Sequence, residues 1–284
     1  MRTWSFTKGH GTENDFVVLL DPDASLAVGP AEVRYLCDRR AGIGGDGLLR
    51  AVRARHLPQW QGDGSLWFMD YRNADGSVAE MCGNGVRVFV RFLLEQGLAD
   101  GPTVSVATRA GLKEATALPD GRVRVSMGPV RVADPTRTVE VVTADGAHFA
   151  ALPADVGNPH AVSFTEDLST LALDVAPRYP AADFPAGVNL EFVRPLGPRH
   201  LAMRVHERGV GETRSCGTGT VAVAAAARAH TGDLTPLPVT YRVDVPGGSV
   251  DVELTADQAY LTGPAVLVAA GQVEVPEDLA PEEG

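Results

Sequence analysis

Met81-Cys82-Gly83-Asn84-Gly85 and Ser215-Cys216-Gly217-Thr218-Gly219 repeat one phrase, Cys-Gly-x-Gly, far apart in a chain of 284 residues. Each is followed by helix-forming residues with no breaker until Gly97 in the first case and Gly232 in the second. A cysteine at a glycine turn that opens a helix meets unpaired backbone N–H groups and the positive end of the helix dipole. Both favour thiolate over thiol. One such site reads as a nucleophile. Two in matching surroundings read as a pair of thiols facing one substrate from opposite sides.

The surroundings do match. After Cys82 the sequence predicts a helix (Gly85 to Gln96), strands Thr103–Thr108 and Leu112–Leu118, the turn Pro119-Asp120-Gly121, and a third strand ending at Gly128-Pro129. After Cys216 it predicts a helix (Gly219 to His230), strands Val239–Val245 and Ser249–Leu254, and an end at Gly263-Pro264. Gly128 lies 46 residues beyond Cys82, and Gly263 lies 47 beyond Cys216. Upstream, Leu66–Asp70 runs into the polar turn Tyr71–Gly76, and Leu201–Val205 into His206–Gly211. Further upstream stand Gly11–Phe16 and Gly157–His160. The period is too long for a solenoid. A duplicated domain with its site in the cleft between the copies fits better.

Bulk properties narrow the function classes. A chain that is 44% hydrophobic and 21% charged reads as globular, with length enough for two domains. A net charge of −11 argues against a phosphate-binding surface, so nucleic acid is excluded as a partner. Met1–Ser5 shows no apolar leader. Val221–Ala227 and Ala265–Ala270 are too short to span a membrane. Three scattered cysteines make no disulfide framework, and a reducing cytoplasm is expected. They also lack the spacing of a zinc site, so no metal is expected. Cys37, on an apparent helix, reads as a core residue. The chain has only two lysines, Lys8 and Lys113, and neither sits like the Schiff-base lysine of a pyridoxal enzyme. No cofactor is expected. Gly42-Ile43-Gly44-Gly45-Asp46-Gly47 has the wrong spacing for a dinucleotide loop and reads as a tight loop close to the substrate.

The chemistry these residues permit is carbon-acid chemistry. Inverting a centre α to a carboxylate requires a base on one face and an acid on the other. Two thiols of ordinary pKa about 8.5 can be tuned so that one rests ionised and one protonated. The glycine turns offer backbone N–H groups to the substrate carboxylate. Glu207 and Arg208 lie beside Gly209 and Gly211 just before the second cysteine loop, where Arg offers a fork for a carboxylate and Glu a partner for an ammonium. His160, after Asn158-Pro159, is a candidate modulator of a thiol pKa.

At these residues the chain resembles the diaminopimelate epimerases, cofactor-independent isomerases of lysine and peptidoglycan-precursor biosynthesis. The resemblance covers almost the whole length. It rests on Lys8–Gly11 through Asn14–Phe16, Asp38-Arg39 with Gly42–Asp46, Tyr71–Ser77, Met81–Arg87, Gly157–His160, Gly187–Asn189 and His206 through Gly219. It implies that Asn14, Asn73, Asn158 and Asn189, with Glu207 and Arg208, bind the distal amino-acid end of the substrate. Gly83, Asn84, Gly217 and Thr218 would hold the α-carboxylate, Cys82 and Cys216 would be catalytic, and His160 and Glu207 would adjust the thiols.

The expected fold is α+β: two pseudo-symmetric domains, each an antiparallel sheet wrapped around a central helix, with the active site in the interdomain cleft. Residues 1–128 form the first and 129–264 the second, with a strand at about 265–275 returning to complete the first. The chain departs from the family at Glu13, where Gly is usual, and at Gly47, where some members carry Gln. Val266–Ala269 stands where some members have a tyrosine linked to dimer formation, so a homodimer is left open. Other readings are a proline or hydroxyproline racemase-like enzyme, a phenazine-pathway-like isomerase, and an inactive amino-acid-binding protein.

Overall fold

Alternation of apolar and polar residues along the strands, against a continuous apolar run in two helices, sets the architecture. The computed structural model describes residues 1–277 and 279. It divides into two compact units, Met1–Val125 with the stretch from Pro264 onward, and Ser126–Gly263.

The first unit contains β1 (Arg2–Gly11), β2 (Asn14–Leu20), α1 (Pro30–Cys37), β3 (Gly47–Arg53), β4 (Trp67–Asn73), α2 (Gly83–Glu95), β5 (Thr103–Thr108), β6 (Gly111–Ala117) and the start of β7 (Val123–Gly128). A C-terminal strand, Val266–Val275, pairs antiparallel with β1 along its length, from Arg2 opposite Val275 to His10 opposite Val266. The sheet then runs β1 to β7 in order, with β2–β3 and β4–β5 parallel and the other neighbours antiparallel. Most of α2 is buried, including Val86, Val88, Phe89, Val90, Phe92 and Leu93. A helix apolar all round belongs at the centre of its unit.

The second unit repeats the plan with β8 (Val139–Val142), β9 (His148–Asp155), β10 (Pro159–Phe164), β11 (Asn189–Gly197), β12 (His200–Glu207), β13 (Gly211–Thr213), α3 (Gly217–Thr231), β14 (Val239–Val245), β15 (Gly248–Leu254) and β16 (Ala259–Gly263). The order is β8-β9-β10-β11-β12-β14-β15-β16, with β13 also paired to β12. Here β10–β11 and β12–β14 are the parallel pairs. The C-terminal strand, β17, thus corresponds to β8. The α+β class holds, with each sheet antiparallel except at two equivalent places. Those parallel pairs arise from crossover connections: through α1 between β2 and β3, through the helix-free stretch 165–188 between β10 and β11, and through the central helix in the second connection of each unit.

α3 is built from small residues, Val221–Ala227, and ends at Gly232, whose φ of +62° is the left-handed cap conformation that glycine adopts without cost. Both central helices start two residues earlier than the sequence suggests. Gly-x-Gly is the first helical turn, not a turn before it. The loop Gly42–Gly47 folds back onto α1: the N–H groups of Gly42, Ile43, Gly44 and Gly45 donate to carbonyls of Asp38, Leu36, Leu36 and Cys37. It satisfies the helix C-terminus. A Cβ at Gly42 would lie 1.9 Å from the Tyr35 carbonyl oxygen, so this glycine is required by close backbone approach. Cys37 is buried as expected, and burial pushes its thiol up to about 12.

Candidate active site

Each cysteine is the N-cap of its central helix. Cys82 has extended backbone, and its Sγ accepts a hydrogen bond from the Gly85 N–H at 3.4 Å. Cys216 does the same with Gly219 N–H at 3.3 Å. The sulfur stands where a Ser or Asp oxygen usually caps a helix. The N–H groups of Gly83 and Asn84, and of Gly217 and Thr218, precede the first bond inside each helix and face its open end.

Around Cys82 the polar groups come from β1, β2 and the loop after α1. Asn14 Oδ1 accepts from Asn84 Nδ2 at 3.2 Å and lies 3.5 Å from Cys82 Sγ. Asn14 Nδ2 donates to Asp46 Oδ2 at 2.8 Å. Arg39 bridges Asp15 and Asp46, at 2.7 Å to each, and Lys8 sits 2.6 Å from Asp15 and also donates to the Gly44 carbonyl. Burial raises the Asp15 pKa, but the hydrogen bonds from Arg39 and Lys8 outweigh it and hold the carboxyl far below its usual range. Asn73 spends its Nδ2 on Ser77 Oγ, 3.0 Å away, closing the turn after β4.

Around Cys216 the polar groups form a chain. Glu191 Oε1 and His160 Nδ1 are 2.6 Å apart, and both side chains are fully buried. His160 Nε2 meets Asn158 Oδ1 at 3.1 Å, Asn158 Nδ2 donates to Thr218 Oγ1 at 3.4 Å, and Thr218 Oγ1 lies 3.5 Å from Cys216 Sγ. The link from His160 to the thiol therefore runs through Asn158 and Thr218. Glu207 accepts from Thr213 Oγ1 at 2.5 Å. Asn189 Oδ1 holds the Arg208 backbone N–H at 2.9 Å, and exposed Arg208 donates from Nη1 to Ala186 O at 2.7 Å. The Arg208 side chain lies on Gly187, where a Cβ would sit 2.5 Å from Arg208 Cδ.

One expectation is overturned. A helix N-terminus should make each thiol acidic, yet burial, then the Glu207 and Glu191 carboxylates, push the Cys216 pKa well above its ordinary value. Hydrogen bonds from Thr218 and Gly219 oppose them and lose. Desolvation of a cysteine that is only 5% exposed beats a half-charge of dipole. Glu207 adjusts this thiol upward. Glu191 was missed in the sequence, as was Arg87, a fully buried cation on α2. Among the described residues no group of three or more His, Cys, Asp or Glu side chains is placed to hold a metal ion, and no helix is long and apolar enough to cross a membrane.

The two-unit fold is one that solved structures of distant sequence share. A hydroxyproline epimerase from Agrobacterium vitis superposes with a TM-score of 0.68 at 18% identity, covering 96% of this chain and 92% of that one. A Bacillus anthracis phenazine biosynthesis protein of the PhzF family gives 0.71 at 15% identity, covering 97% and 100%. Sequence relationships are much nearer. The family model for diaminopimelate epimerase matches residues 6–133 and 153–268. The diaminopimelate epimerase of Streptomyces coelicolor is 51% identical over 95% of this chain and 95% of its own length, and that of Corynebacterium glutamicum 48% over 96% and 99%. The chain belongs to the diaminopimelate epimerase family.

Proposed function

We propose that this chain interconverts LL- and meso-2,6-diaminopimelate without a cofactor, with Cys82 and Cys216 exchanging protons at the α-carbon. The observation that carries the reading is the pair of cysteines, each capping a buried helix through its own sulfur in a chain that is a family member over nearly its full length. The α-hydrogen of an amino acid is weakly acidic. Removing it requires a thiolate on one face, a thiol on the other, and fixed donors for the carboxylate as charge builds. The first-turn N–H groups of Gly83, Asn84, Gly217 and Thr218 supply those donors. Asn14, Asn73, Asn158, Asn189, Glu207 and Arg208 hold the distal end. His160, acting with Glu191, and Glu207 set the protonation of Cys216. The reaction serves lysine and peptidoglycan-precursor synthesis, and its need for reduced thiols suits the cytoplasm.

The test uses Arg208. LL-diaminopimelate is expected to react orders of magnitude faster than L-lysine, which lacks the distal carboxylate, because remote binding energy positions the reacting carbon. Arg208→Lys should lose most of kcat/KM on diaminopimelate and little on L-lysine, since a point charge cannot reproduce the guanidinium fork. L-Proline and 4-hydroxyproline complete the panel. Equal losses on both substrates, or preference for a proline, would remove the assignment.

A further inference from the structure

The chain enters each cysteine through a loop that doubles back on its own strand, and in both units the same hairpin ties that loop down. Arg72 and Val78 stand ten and four residues before Cys82; His206 and Glu212 stand ten and four before Cys216. Arg72 pairs with Val78 in an isolated antiparallel bridge, and His206 pairs with Glu212 in the β12–β13 ladder. The two loops therefore match residue for residue. Beside each lies a two-residue hairpin, Arg109-Ala110 between β5 and β6 and Pro246-Gly247 between β14 and β15. Phe68 lies opposite Ala107 and Ala202 opposite Asp244, with Phe68 and Ala202 each fourteen residues before its cysteine. Arg109 thus corresponds to Pro246.

The direction of the tie differs between the units. In the second unit the loop reaches the hairpin: Arg214 Nη2 donates to the Pro246 carbonyl at 2.9 Å, and the Gly247 N–H donates to the Arg214 carbonyl at 3.0 Å. In the first unit the hairpin reaches the loop. Arg109 Nη1 donates to the Tyr71 and Ala79 carbonyls, each at 3.3 Å, and Nη2 donates to Asp70 Oδ1 at 2.5 Å. One guanidinium joins the end of β4, the loop, and a carboxylate that is 1% exposed. A planar fork serves these acceptors from fixed directions, which an ammonium on a flexible stem does not. The Arg109 Cζ sits 5.7 Å from the centre of the Phe68 ring, which anchors the group from a further side. Asp70 is itself held by Arg72 Nε at 3.1 Å and faces Arg50 Nη1 at 3.6 Å.

We propose that Arg109 is a positioning residue of the active site: from the β5–β6 hairpin it fixes the loop Ala74–Met81, and with it the placement of Asn73 and Cys82 at the loop's two ends. Arg214 does the same for Cys216 from the loop side of the junction. The first loop depends more on its arginine. β13 gives the second loop a ladder of three residue pairs with β12. The first loop has a single bridge, and its Ala79 N–H donates at 3.3 Å to the Tyr71 carbonyl, the same oxygen that Arg109 reaches. Two halves with different residues at hairpin and loop arrive at one tie, so the tie is a property of the site and not an accident of one sequence. A loop without it would present Cys82 and Asn73 over a range of positions, and misplacement by about 1 Å costs on the order of 10²-fold in rate.

This inference rests on the function assigned above, and hydrogen exchange tests it without turnover. Amide exchange of the substrate-free protein is followed by peptide mass spectrometry over residues 74–81 and 208–215. In the parent, 74–81 should exchange at least ~10-fold more slowly than an unstructured peptide of that sequence. Arg109→Ala should speed 74–81 by about 10-fold or more and leave 208–215 at the parental rate. Its kcat/KM on diaminopimelate should fall at least ~10-fold. Guanidinium chloride at a non-denaturing concentration should fill the vacated place and restore both readouts, while potassium chloride at equal ionic strength restores neither. Arg109→Lys keeps a charge for Asp70 but not the fork, and should exchange much as Arg109→Ala does. Parental exchange of 74–81 in the alanine variant overturns the proposal, as does equal acceleration of both loops, which would make Arg109 a residue of the fold at large. Exchange of 74–81 at the unstructured rate in the parent overturns it even if no variant folds. Exchange as expected in a protein that does not epimerise diaminopimelate would sink the assigned function and leave the tie standing; lost turnover with unmoved exchange would do the reverse.

Discussion

Adding one methyl group at the third residue of each central helix should separate the two units sharply. Gly85→Ala places a Cβ 3.3 Å from Leu49 Cδ2 and 3.4 Å from Cys82 Cβ, contacts that a few tenths of an ångström relieve. Alanine is worth about 0.8–1 kcal/mol over glycine inside a helix, so this variant should be neutral or stabilised by up to ~1 kcal/mol. Gly219→Ala gains the same propensity but places its Cβ 2.7 Å from Glu191 Oε1. That oxygen belongs to a fully buried carboxyl 2.6 Å from buried His160 Nδ1, and its sister Oε2 has no hydrogen-bond partner. Displacing it forfeits a charged hydrogen bond of about 1.5–3 kcal/mol and leaves an unpaired buried group. Net of propensity, a loss of about 2 kcal/mol is expected. Urea unfolding followed by circular dichroism gives both numbers at constant m-value. Equal effects of the two substitutions would refute the claim that the His160–Glu191 pair is held tightly beneath Cys216.

Cys82→Ala and Cys216→Ala should each abolish epimerisation, by at least ~10³-fold in kcat, with near-parental circular dichroism; substantial turnover by either would end the two-thiol reading. Thr12 and Glu13 form the β1–β2 turn with φ of +52° and +59°, and a non-glycine residue there pays about 1–2 kcal/mol. Glu13→Gly should therefore gain up to about 1 kcal/mol after the flexibility glycine adds to the unfolded chain, and a loss in thermal unfolding would contradict the strain. Cys37, pushed up to about 12 by burial, keeps its proton when the unfolded thiol, near 9, has lost it. Its contribution is fully present below about pH 9 and is lost as pH rises toward 12, by up to about 1.4 kcal/mol per pH unit. Cys37→Ala should flatten that part of the stability–pH curve, and an unchanged slope would count against it.

The cysteine loops, central helices and strand boundaries near them were legible because they depend on local signals: glycine turns, an apolar run of helical length, and alternation by two. The β5 and β14 spans, Thr103–Thr108 and Val239–Val245, are the same in sequence and structure. Glu191 was not legible, since it lies in β11 between Leu190 and Phe192, all three buried, where alternation gives no inward or outward face. Only the parallel register with β10 puts it beside His160. Arg87 was hidden for a similar reason: an arginine inside a central helix reads as its exposed side until the helix proves buried all round. The sign of the Cys216 shift was illegible as well. A helix N-terminus shows in sequence; desolvation and carboxylates arriving from other strands do not. Gly42–Gly47 was recognised as a tight loop, but its role in closing the end of α1 follows from carbonyl positions that no local pattern encodes.

The strand Val266–Val275 has a bearing on how the chain is made. It supplies the edge partner of β1 and places Val275 in the same apolar cluster as Trp4 and Leu36. The residues between, Ser126–Gly263, form a unit encoded without interruption. On a ribosome that unit emerges whole and can complete its core while β1 still waits for its edge partner, since every residue of Ser126–Gly263 is translated before Val266–Val275. The half carrying Cys82 is consequently the last to close, and a nascent chain stalled before residue 266 would hold one finished thiol site and one unfinished.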